Sequence, residues 1–332
     1  MTADDIKKLK VAKYKCLKSS LFFTRYFFKQ ETKRKLIVDT YHEKIGEALD
    51  RVIQGKCRRL IINIGPRFGK TELAVKKFIA KGLAHNAAAK FIHLSASAEL
   101  ALENSEAARD LVKSSAYQLM FPHVKIKGTT DAKKKWYTEA GGGVYATGIS
   151  GQVTGFGAGI VSDDEDAEID SLLSDIELAE GFGGAIIWDD AIKADEADSE
   201  VKREAANRKY STTVKNRRNS KKTPIVVIGQ RLHPMDLPGY LLATEPGEWE
   251  VLSLPALYLE EGEYKSLCPR LYSVADLLKM ESNESVETKI FFQRQLQQNP
   301  QPREGLMFPL DDLKKYNPVT FDPAKAVQYK FM

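Results

Sequence analysis

The feature that most constrains the fold is an alternation of short apolar runs with amphipathic helical stretches. RRLIINI (58–64) is followed by TELAVKKFIAKGLAHN, and KFIHLSA (90–96) is followed by ELALENSEAARDLVKSS. Further apolar runs lie at 183–190, 223–230 and 250–256. Strands that are apolar on both faces and alternate with helices are typical of a parallel sheet with helices on both sides. The sequence therefore predicts an α/β fold with five parallel strands.

The first apolar run leads directly into a loop that contains glycine and then into a helix. The usual phosphate-loop spacing G-x-x-x-x-G-K-[ST] would require a glycine where Ile64 stands. The order of elements is nevertheless that of a phosphate-binding site: a strand, a short loop, and a helix that begins with lysine and threonine. Such a site binds phosphates through backbone N–H groups and the helix dipole. The alternative is that GKT occurs by chance on a surface helix and binds no phosphate. We expect a nucleotide to contact the loop at Gly65, Pro66, Arg67, Phe68, Gly69, Lys70 and Thr71.

A nucleotide-hydrolysing site also needs a carboxylate-bearing strand, and AIIWDD provides one. Asp189 would join Thr71 in holding Mg²⁺, and Asp190 would align or deprotonate the attacking water. IVSDDED, with Asp163 and Asp164, is a rival, and a pair of helix-capping aspartates is a second alternative. AIIWDD is preferred because its apolar run is longer and because AIKADEADS is expected to continue as a helix. The sequence thus predicts an ATPase that uses ATP and Mg²⁺.

The run IVVIGQ ends at Gln230 and Arg231. In motor ATPases of the additional-strand type, a polar residue at such a strand end can sense the γ-phosphate. We therefore place Gln230 and Arg231 among the catalytic residues, with Arg67 and Asp190. A turn with surface residues before Pro234 is an equal alternative. The predicted fold class is a P-loop NTPase, RecA-like and of the additional-strand type, with a mainly parallel sheet and a small helical lid.

Composition narrows the class of protein. Apolar residues make up 43% and charged residues 29%, as in soluble globular proteins. No stretch approaches the roughly 20 apolar residues that span a bilayer, and the N-terminus lacks the pattern of a signal peptide. The expectation is a cytoplasmic protein with no membrane partner. The three cysteines are far apart and suggest neither disulfides nor zinc.

Several stretches are expected to lie outside the sheet. Four aromatic residues at helical spacing in LFFTRYFFKQ predict an apolar helix face, with a platform for a nucleotide base as the alternative. The glycine-rich stretch 141–159 suits a strand pair with tight turns. The stretch 163–180 contains nine carboxylates and no basic residue, which indicates a solvated insertion. After residue 256 the pattern becomes polar and helical.

Seven segments, in this order, resemble the ATPase half of the large terminase subunit of tailed phages. They are IINIGPRFGKTE, SSAYQLMFPHVKI, GISGQVTGFGAG, IIWDDAIKADEADSE, VVIGQRLHPMDLPGYLL, SLPAL and FFQRQLQQNPQPREGLMF. The resemblance covers roughly residues 35–315, and its specificity lies in the ordered set. The family's variant phosphate loop carries an arginine before GK[ST], which matches Arg67 and accounts for the missing glycine at 64.

The resemblance implies a motor that drives double-stranded viral DNA into a procapsid in the host cytoplasm. Its partners would be DNA, the portal protein and the small terminase subunit, and the working form would be a homo-oligomeric ring. It implies that Lys70 and Thr71 contact phosphate and metal, that Asp189 is the Walker B aspartate and that Asp190 is the catalytic carboxylate. Gln230 and Arg231 would belong to the coupling motif.

The chain departs from the family at three positions. Many members have glutamate where Asp190 stands and proline where Ala191 stands. Phe156 occupies a position where relatives can carry an arginine that acts on a neighbouring subunit. Substitutes for that arginine are Arg217 and Arg218, in a run with seven cationic residues between 208 and 222. That run, like KKKW at 133–136, could instead contact DNA, and a solvated loop is the simplest interpretation.

The resemblance also implies a division of the chain. Residues 1–35 would be an N-terminal helical extension, 36–256 the ATPase core, and 257–312 the helical lid. Residues 313–332 would link to an RNase H-like nuclease domain, which is expected to be absent because the sequence stops at about that boundary. Asp322 lacks the partner carboxylates of a two-metal site, so no nuclease site is assigned to these residues. Two alternatives to the motor are a superfamily-2 helicase-like, DNA-dependent ATPase and a nucleotide-binding scaffold that has lost hydrolysis.

Overall fold

The computed structural model describes residues 2–151, 155–160 and 181–301. Within these residues the chain contains a large sheet and a separate hairpin. The strands are, in chain order, β1 Arg59–Ile64, β2 Lys90–Ser95, β3 Ile126–Asp131, β4 Lys135–Thr138, β5 Gly143–Gly148, β6 Ile186–Asp189, β7 Ile225–Gly229, β8 Glu250–Leu254, β9 Leu257–Glu260 and β10 Glu263–Ser266.

The large sheet has eight strands in the order β3-β4-β5-β2-β6-β7-β1-β8. The six strands from β5 to β8 in this order are all parallel, while β3 and β4 are antiparallel and form one edge. Strand β7 lies between β1, which leads into the predicted phosphate loop, and β6, which ends at Asp189. This inserted strand confirms the predicted additional-strand α/β fold. It also brings the carboxyl ends of β1, β7 and β6 to one edge of the sheet.

Helices cover both faces of the sheet. The α-helices are α1 Ala3–Lys18, α2 Ser20–Thr32, α3 Thr40–Ile53, α4 Phe78–His85, α5 Ala98–Lys113, α6 Ser115–Met120, α7 Glu200–Lys209, α8 Leu237–Thr244, α9 Val274–Glu281 and α10 Val286–Ile290. π-helical turns span Glu72–Lys77, Tyr210–Val214 and Phe291–Leu296, and 3-10 turns span Ala194–Glu196 and Lys215–Arg217. In the described part of the chain, no helix combines the length and apolarity that crossing a membrane requires.

Successive residues of a strand point to opposite faces, and the two apolar cores follow from this. In β1, Leu60 and Ile62 belong to the larger core under helices α1 to α6, whereas Ile61 belongs to the smaller core under α7 and α8. All three side chains are fully buried. Burial on both faces explains why the strand reads as a continuous apolar run.

The aromatic cluster near the N-terminus is part of the larger core, as its helical spacing predicts. Phe23 and Phe27 of α2 are fully buried. Their rings lie 6.4 Å and 5.6 Å from that of Tyr117 in α6. Two rings that are enclosed in this way are not available to stack on a nucleotide base, so the platform interpretation is wrong for them.

The glycine-rich stretch 141–159 differs from its prediction. In the described residues it contributes one strand, β5, which pairs in parallel with β2 in the interior of the sheet. An ideal Cβ on Gly142 would lie 2.3 Å from the carbonyl oxygen of Ala87, and one on Gly143 would lie 2.2 Å from that of Trp136. Gly142 and Gly143 therefore permit a close approach of backbones. Gly141, with φ of 84°, lies with Gly142 in the tight turn between the antiparallel strands β4 and β5, so a predicted tight turn is present, but it joins β5 to a strand that precedes the glycine-rich stretch.

Three smaller predictions also need correction. The residues after Asp190 do not continue as a helix, because only a 3-10 turn precedes α7 at Glu200. The basic run that starts at Arg208 is helical as far as Arg217 and is not a loop there. The region after residue 256 begins with the antiparallel hairpin β9–β10, before its helices. Asp163, Asp164, the acidic stretch 163–180, residues 302–312 and the linker 313–332 with Asp322 lie outside the described residues.

Candidate nucleotide-binding site

The loop between β1 and the following helix is one residue shorter than the usual phosphate loop. Ile64 is fully buried and pairs with Leu254 of β8, so the strand continues to the position where the usual motif has its first glycine. Gly65 and Gly69 then enclose three residues. The short loop closes because Arg67 and Gly69 both adopt left-handed conformations, with φ of 67° and 70°. Thr71 is already helical, with φ −66° and ψ −36°.

Packing from two sides fixes the shape of this loop. Phe68 is 2% exposed and meets the ring of Tyr41 edge-on at 5.5 Å. An ideal Cβ on Gly65 would lie 2.9 Å from the carbonyl oxygen of Gln295, in the π-helical turn Phe291–Leu296. The loop is therefore held between α3 and the C-terminal helical turn. The side chain of Phe68 is inside the protein, so only its backbone is available to a ligand, whereas Arg67 is exposed.

The two carboxylates after β6 meet the two polar residues at the start of the loop helix. The hydroxyl of Thr71 donates a hydrogen bond to Oδ2 of Asp189 at 2.7 Å. Nζ of Lys70 lies 2.7 Å from Oδ1 of Asp190. Residues about 120 positions apart in the sequence are thus in direct contact. The geometry brings together the four residues that the sequence singled out for phosphate, metal and water.

Asp190 has an unusual backbone that turns the chain away from the sheet. Its φ of 42° is in the left-handed region. Its N–H donates to the carbonyl of Ile228 at 2.8 Å, and its own carbonyl accepts from the N–H of Ala96 at 2.9 Å. Gly229 leaves space beside it, because an ideal Cβ there would lie 3.1 Å from Oδ1 of Asp190. The carboxylate is thus positioned by backbone contacts with the two neighbouring strands.

Asp189 has the environment expected of a metal ligand. Burial, with the charge of Asp190, raises the pKa of Asp189 to about 6, and Lys70 and the Thr71 hydroxyl oppose this shift. Among the described residues, its Oδ1 has no hydrogen-bond partner. The Thr71 hydroxyl and the Asp189 carboxylate, with its unpartnered buried oxygen, are suitable donors for Mg²⁺, which keeps several waters and takes few protein ligands beside substrate phosphates. No group of three or more His, Cys, Asp or Glu residues in the described chain could hold a metal ion by itself.

Gln230 and Arg231 follow β7 at the same edge of the sheet. Oε1 of Gln230 is buried and has no partner within the described residues. Nε of Arg231 donates to Oδ1 of Asp236 at 3.1 Å, and its backbone N–H donates to Oε1 of Gln298 at 3.0 Å. Asp236 also accepts from the N–H of Gly239 and so caps α8. The guanidinium of Arg231 is therefore engaged in structural contacts, whereas the Gln230 carbonyl is unengaged.

Sequence reasoning missed three residues around this edge. Asn63 is a polar residue in the apolar strand β1, and its Oδ1 is buried without a partner in the described structure. Its polarity within IINI was the available signal. Gln295 and Gln298 contact the loop and Arg231 from more than 60 residues away in the chain. No local pattern marks them, because their role depends on tertiary packing.

The other predicted candidates lie away from the loop. Phe156 is 5% exposed, and its ring stacks on that of Tyr145 with a centroid distance of 5.8 Å. Burial, and then the nearby charge of Arg59, lower the pKa of Arg218. Arg59 begins β1 whereas Lys70 follows its end, so Arg218 lies towards the opposite edge of the sheet from the loop. The carbonyl of Arg217 pairs with the N–H of Ala158.

Comparison with known proteins gives a match by structure but none by sequence. No protein-family model matches the chain, and no curated protein matches its sequence. The chain is similar to the crystal structure of the large terminase of bacteriophage HK97, with a TM-score of 0.48 and 13% sequence identity. The similarity covers 80% of this chain and 51% of that one. The chain thus spans about half the length of the protein it matches.

Proposed function

We propose that the chain hydrolyses ATP at the edge of the sheet where β1, β7 and β6 end. The observation that carries this proposal is the pair of contacts Lys70–Asp190 and Thr71–Asp189, both 2.7 Å long. They join a loop with an anion-binding geometry to two adjacent carboxylates on a separate strand. This is the minimum set for phosphoryl transfer to water, which depends on positioning and charge stabilisation.

Each residue has a proposed role. Lys70 and the backbone of Gly65 to Thr71 bind the phosphates of ATP, and Arg67 adds a cation at the tip of the loop. Thr71 and Asp189 hold Mg²⁺, which when bound would neutralise charge on the phosphates. Asp190 orients the attacking water and accepts its proton. Gln230 and Arg231, at the end of the intervening strand, couple the state of the nucleotide to the rest of the protein.

The ion pair between Lys70 and Asp190 has a consequence for this mechanism. A lysine that binds phosphate cannot also satisfy Asp190 in the same way, so nucleotide binding would release the Asp190 carboxylate. The carboxylate is then free of its ion pair, and able to act as a base, only when phosphate is present. Because the side chain of Asp190 is 35% exposed, water can reach it. The pair therefore keeps the catalytic carboxylate engaged in the absence of substrate.

We further propose that this ATPase is the motor portion of a large terminase that moves double-stranded DNA into a procapsid. The support is the ordered set of seven segments, together with the inserted strand β7 between the loop strand and the aspartate strand. As a terminase it would act as a homo-oligomeric ring in the host cytoplasm, with the portal protein and the small subunit as partners. Arg217 or Arg218 would supply the cation to a neighbouring subunit.

The first experiment measures phosphate release by the purified chain with ATP and Mg²⁺. We expect slow hydrolysis that falls at least about a hundredfold in Lys70→Ala and in Asp189→Asn, because each removes a charge from the reacting centre. Matched controls are Lys56→Ala and Asp195→Asn, which change the same residue types at exposed positions. Hydrolysis that survives both site variants contradicts the assignment. If the wild type binds ATP without hydrolysing it, the result would favour a nucleotide-binding scaffold that has lost hydrolysis.

A second experiment separates a packaging motor from a helicase. On a forked duplex, a superfamily-2 helicase-like enzyme would separate the strands. A terminase-type motor is expected to displace a third strand from a triplex and to leave the duplex paired. Strand separation by the chain would therefore reject the packaging motor and retain the ATPase.

A further inference from the structure

The positive charge of the chain is concentrated at its N-terminus. Residues 1–35 contain eleven lysines and arginines but three aspartates and glutamates, which gives a net charge of +8. The whole chain has a net charge of +5, so the other residues together carry −3. The nucleotide site uses none of these N-terminal cations. Charge asymmetry of this kind often marks a surface that binds a polyanion.

The structure places these cations on the outside of a helix pair. We call α1 and α2, with the residues up to Lys35, the basic helix pair. Its apolar side is packed against the protein, since Cys16, Phe23 and Phe27 are fully buried. Its other side is exposed and carries seven cations from the two helices: Lys7, Lys8, Lys10, Lys15, Lys18, Arg25 and Lys29.

The cations of the two helices form one continuous surface. An open groove of about 340 Å³ runs along α1, with Lys7, Lys8 and Lys15 among the residues that line it. Phe22 of α2 also lines the groove, and Nζ of Lys15 lies 5.8 Å from the centre of its ring. Arg25 lies three residues after Phe22 and Lys29 lies seven residues after it, so both share its face of α2. The positive surface thus extends from α1 across the groove to α2.

We propose that the basic helix pair binds the phosphate backbone of double-stranded DNA. This choice of polyanion rests on the proposed function, whereas the surface itself is defined by charge and exposure. Lysine predominates over arginine here, nine to two in residues 1–35. Lysine binds phosphate as a hydrated point charge, but it is depleted in protein–protein interfaces.

A membrane fits this surface less well than DNA. A helix that lies in a membrane interface offers a continuous apolar face to the lipid. The apolar face of α1 is instead packed on the protein, and the exposed apolar residues Ile6, Val11 and Tyr14 are interspersed with lysines. The remaining exposed surface is therefore suited to phosphates in water.

The other two basic segments have cations that are already engaged. In the run from Arg208, Nζ of Lys209 donates to the carbonyl of Gly151, and Lys215 pairs with Glu245 at 2.6 Å. In KKKW, Lys133 pairs with Glu106 at 2.7 Å. By contrast, Lys7, Lys10, Arg25 and Lys29 make no ion pair with any residue that the structure describes. These four are the cations most available to DNA.

The test measures binding of the full chain, without nucleotide, to a fluorescein-labelled 30-base-pair duplex by anisotropy at several salt concentrations. The test variant changes four residues to glutamine: Lys7→Gln, Lys10→Gln, Arg25→Gln and Lys29→Gln. The control variant removes the same charge elsewhere: Lys202→Gln, Arg208→Gln, Lys221→Gln and Lys222→Gln. All eight side chains are exposed, so both variants should fold, and circular dichroism with a melting curve checks this.

We expect the test variant to lose at least about tenfold in affinity at roughly 100 mM salt, with a salt dependence that is shallower by about two or more counterions. The control should stay within about twofold of the wild type. An unchanged affinity in the test variant, or an equal loss in the control, overturns the proposal. So does a variant that keeps its DNA affinity but loses binding to polyglutamate or to anionic vesicles.

The same measurements distinguish this proposal from the proposed function. Lys70→Ala is expected to bind the duplex as the wild type does. If Lys70→Ala hydrolyses ATP normally while the test variant loses DNA affinity, the ATP site is wrong and the DNA surface stands. If hydrolysis is lost in Lys70→Ala while the test variant keeps its DNA affinity, the DNA surface is wrong and the ATP site stands.

Discussion

Lys70 and Lys81 lie on the same helical stretch, and each forms an ion pair with an aspartate, but the two surroundings differ. Lys81 is 1% exposed and pairs with Asp50 of α3. Nζ of Lys81 also donates to the hydroxyl of Ser20, whose N–H and hydroxyl both donate to Asp50. Every charged group in this cluster has partners within the protein. The cluster ties α2, α3 and α4 together.

The pair at Lys70 is incomplete by comparison. Its partner Asp190 is partly exposed, and the adjacent Asp189 keeps an oxygen without a partner in the described structure. Gln230 and Asn63 add further unpartnered oxygens nearby. A buried polar group without a partner costs free energy, so this edge of the sheet is less stable than it could be. The difference is the one expected if the pair at Lys81 serves folding and the pair at Lys70 serves the proposed ligand.

The largest expected effect separates the two lysines by stability. Lys81→Met leaves Asp50 in a largely enclosed site without its cation and should lower the free energy of unfolding by about 3 kcal/mol. Lys70→Met should cost less than about 1 kcal/mol, because Asp190 can be solvated, while abolishing hydrolysis. Urea denaturation measures both. Adding Asp50→Leu to Lys81→Met should recover only part of the loss, because it removes the unpaired charge but leaves the N–H and hydroxyl of Ser20 without their acceptor. Equal costs for the two single variants would contradict the comparison.

The second effect is a pH dependence at the enclosed cluster. Burial, and then the charge of Lys81, lower the pKa of His85 to about 4, and its Nε2 lies 3.1 Å from the carbonyl oxygen of Leu17. An unfolded histidine titrates near 6.5, so the unfolded state binds more protons between about pH 6.5 and 4. His85 should therefore make stability fall by about 2 kcal/mol as the pH decreases through this window.

His85→Gln tests this dependence, because glutamine can still donate to the Leu17 carbonyl but does not titrate. The variant should lose about 2 kcal/mol less than the wild type between pH 7 and pH 4.5 in urea denaturation. His123→Gln is the matched control, since His123 also contacts a backbone carbonyl, that of Ala84, and lies nearby. If both variants keep the acid sensitivity of the wild type, His85 is not its source.

A third effect concerns the loop itself. The methyl group of Gly65→Ala would lie too close to the carbonyl oxygen of Gln295. The variant should therefore be destabilised by about 1.5 kcal/mol. Hydrolysis should fall as well, because the loop would shift. Gly128→Ala is the control, since nothing lies within 4 Å of an ideal Cβ there. A neutral Gly65→Ala would show that the turn Phe291–Leu296 does not restrain the loop.

The smallest effect tests the hydroxyl of Thr71. Thr71→Val removes the hydrogen bond to the enclosed carboxylate of Asp189 and should cost about 1 kcal/mol of stability, measured without nucleotide or Mg²⁺. Thr71→Ser keeps the hydroxyl and should be nearly neutral. If Thr71→Ser and Thr71→Val change stability by the same amount, the hydroxyl does not contribute to the stability of the ligand-free protein.

Local patterns were sufficient for much of the fold. The apolar runs that contain β1, β2, β6, β7 and β8 are all strands of the parallel sheet. They were recognisable because burial on both faces leaves only apolar residues in a strand. The juxtaposition of Lys70 with Asp190 followed from a general rule, since the carboxyl ends of parallel strands meet at one edge.

The features that the sequence did not predict have a common physical cause, which is that they depend on long-range contacts. The place of β5 inside the parallel sheet was not recognised, because Gly142 and Gly143 are also required by the close backbones of Ala87 and Trp136. Gln298 supports Arg231 from a distant part of the chain. Such roles depend on which surfaces are brought together in the folded chain. Periodicity within a single segment carries no information about them.

The left-handed conformation of Arg67 implies a compromise between stability and charge. A residue with a side chain costs about 1 kcal/mol more than glycine in this conformation. Arg67→Gly would therefore relax the loop, yet it would remove an exposed cation from its tip. A sequence optimised for folding alone would have glycine at this position. The arginine gives up local stability for a positive charge where the phosphates of a ligand would lie.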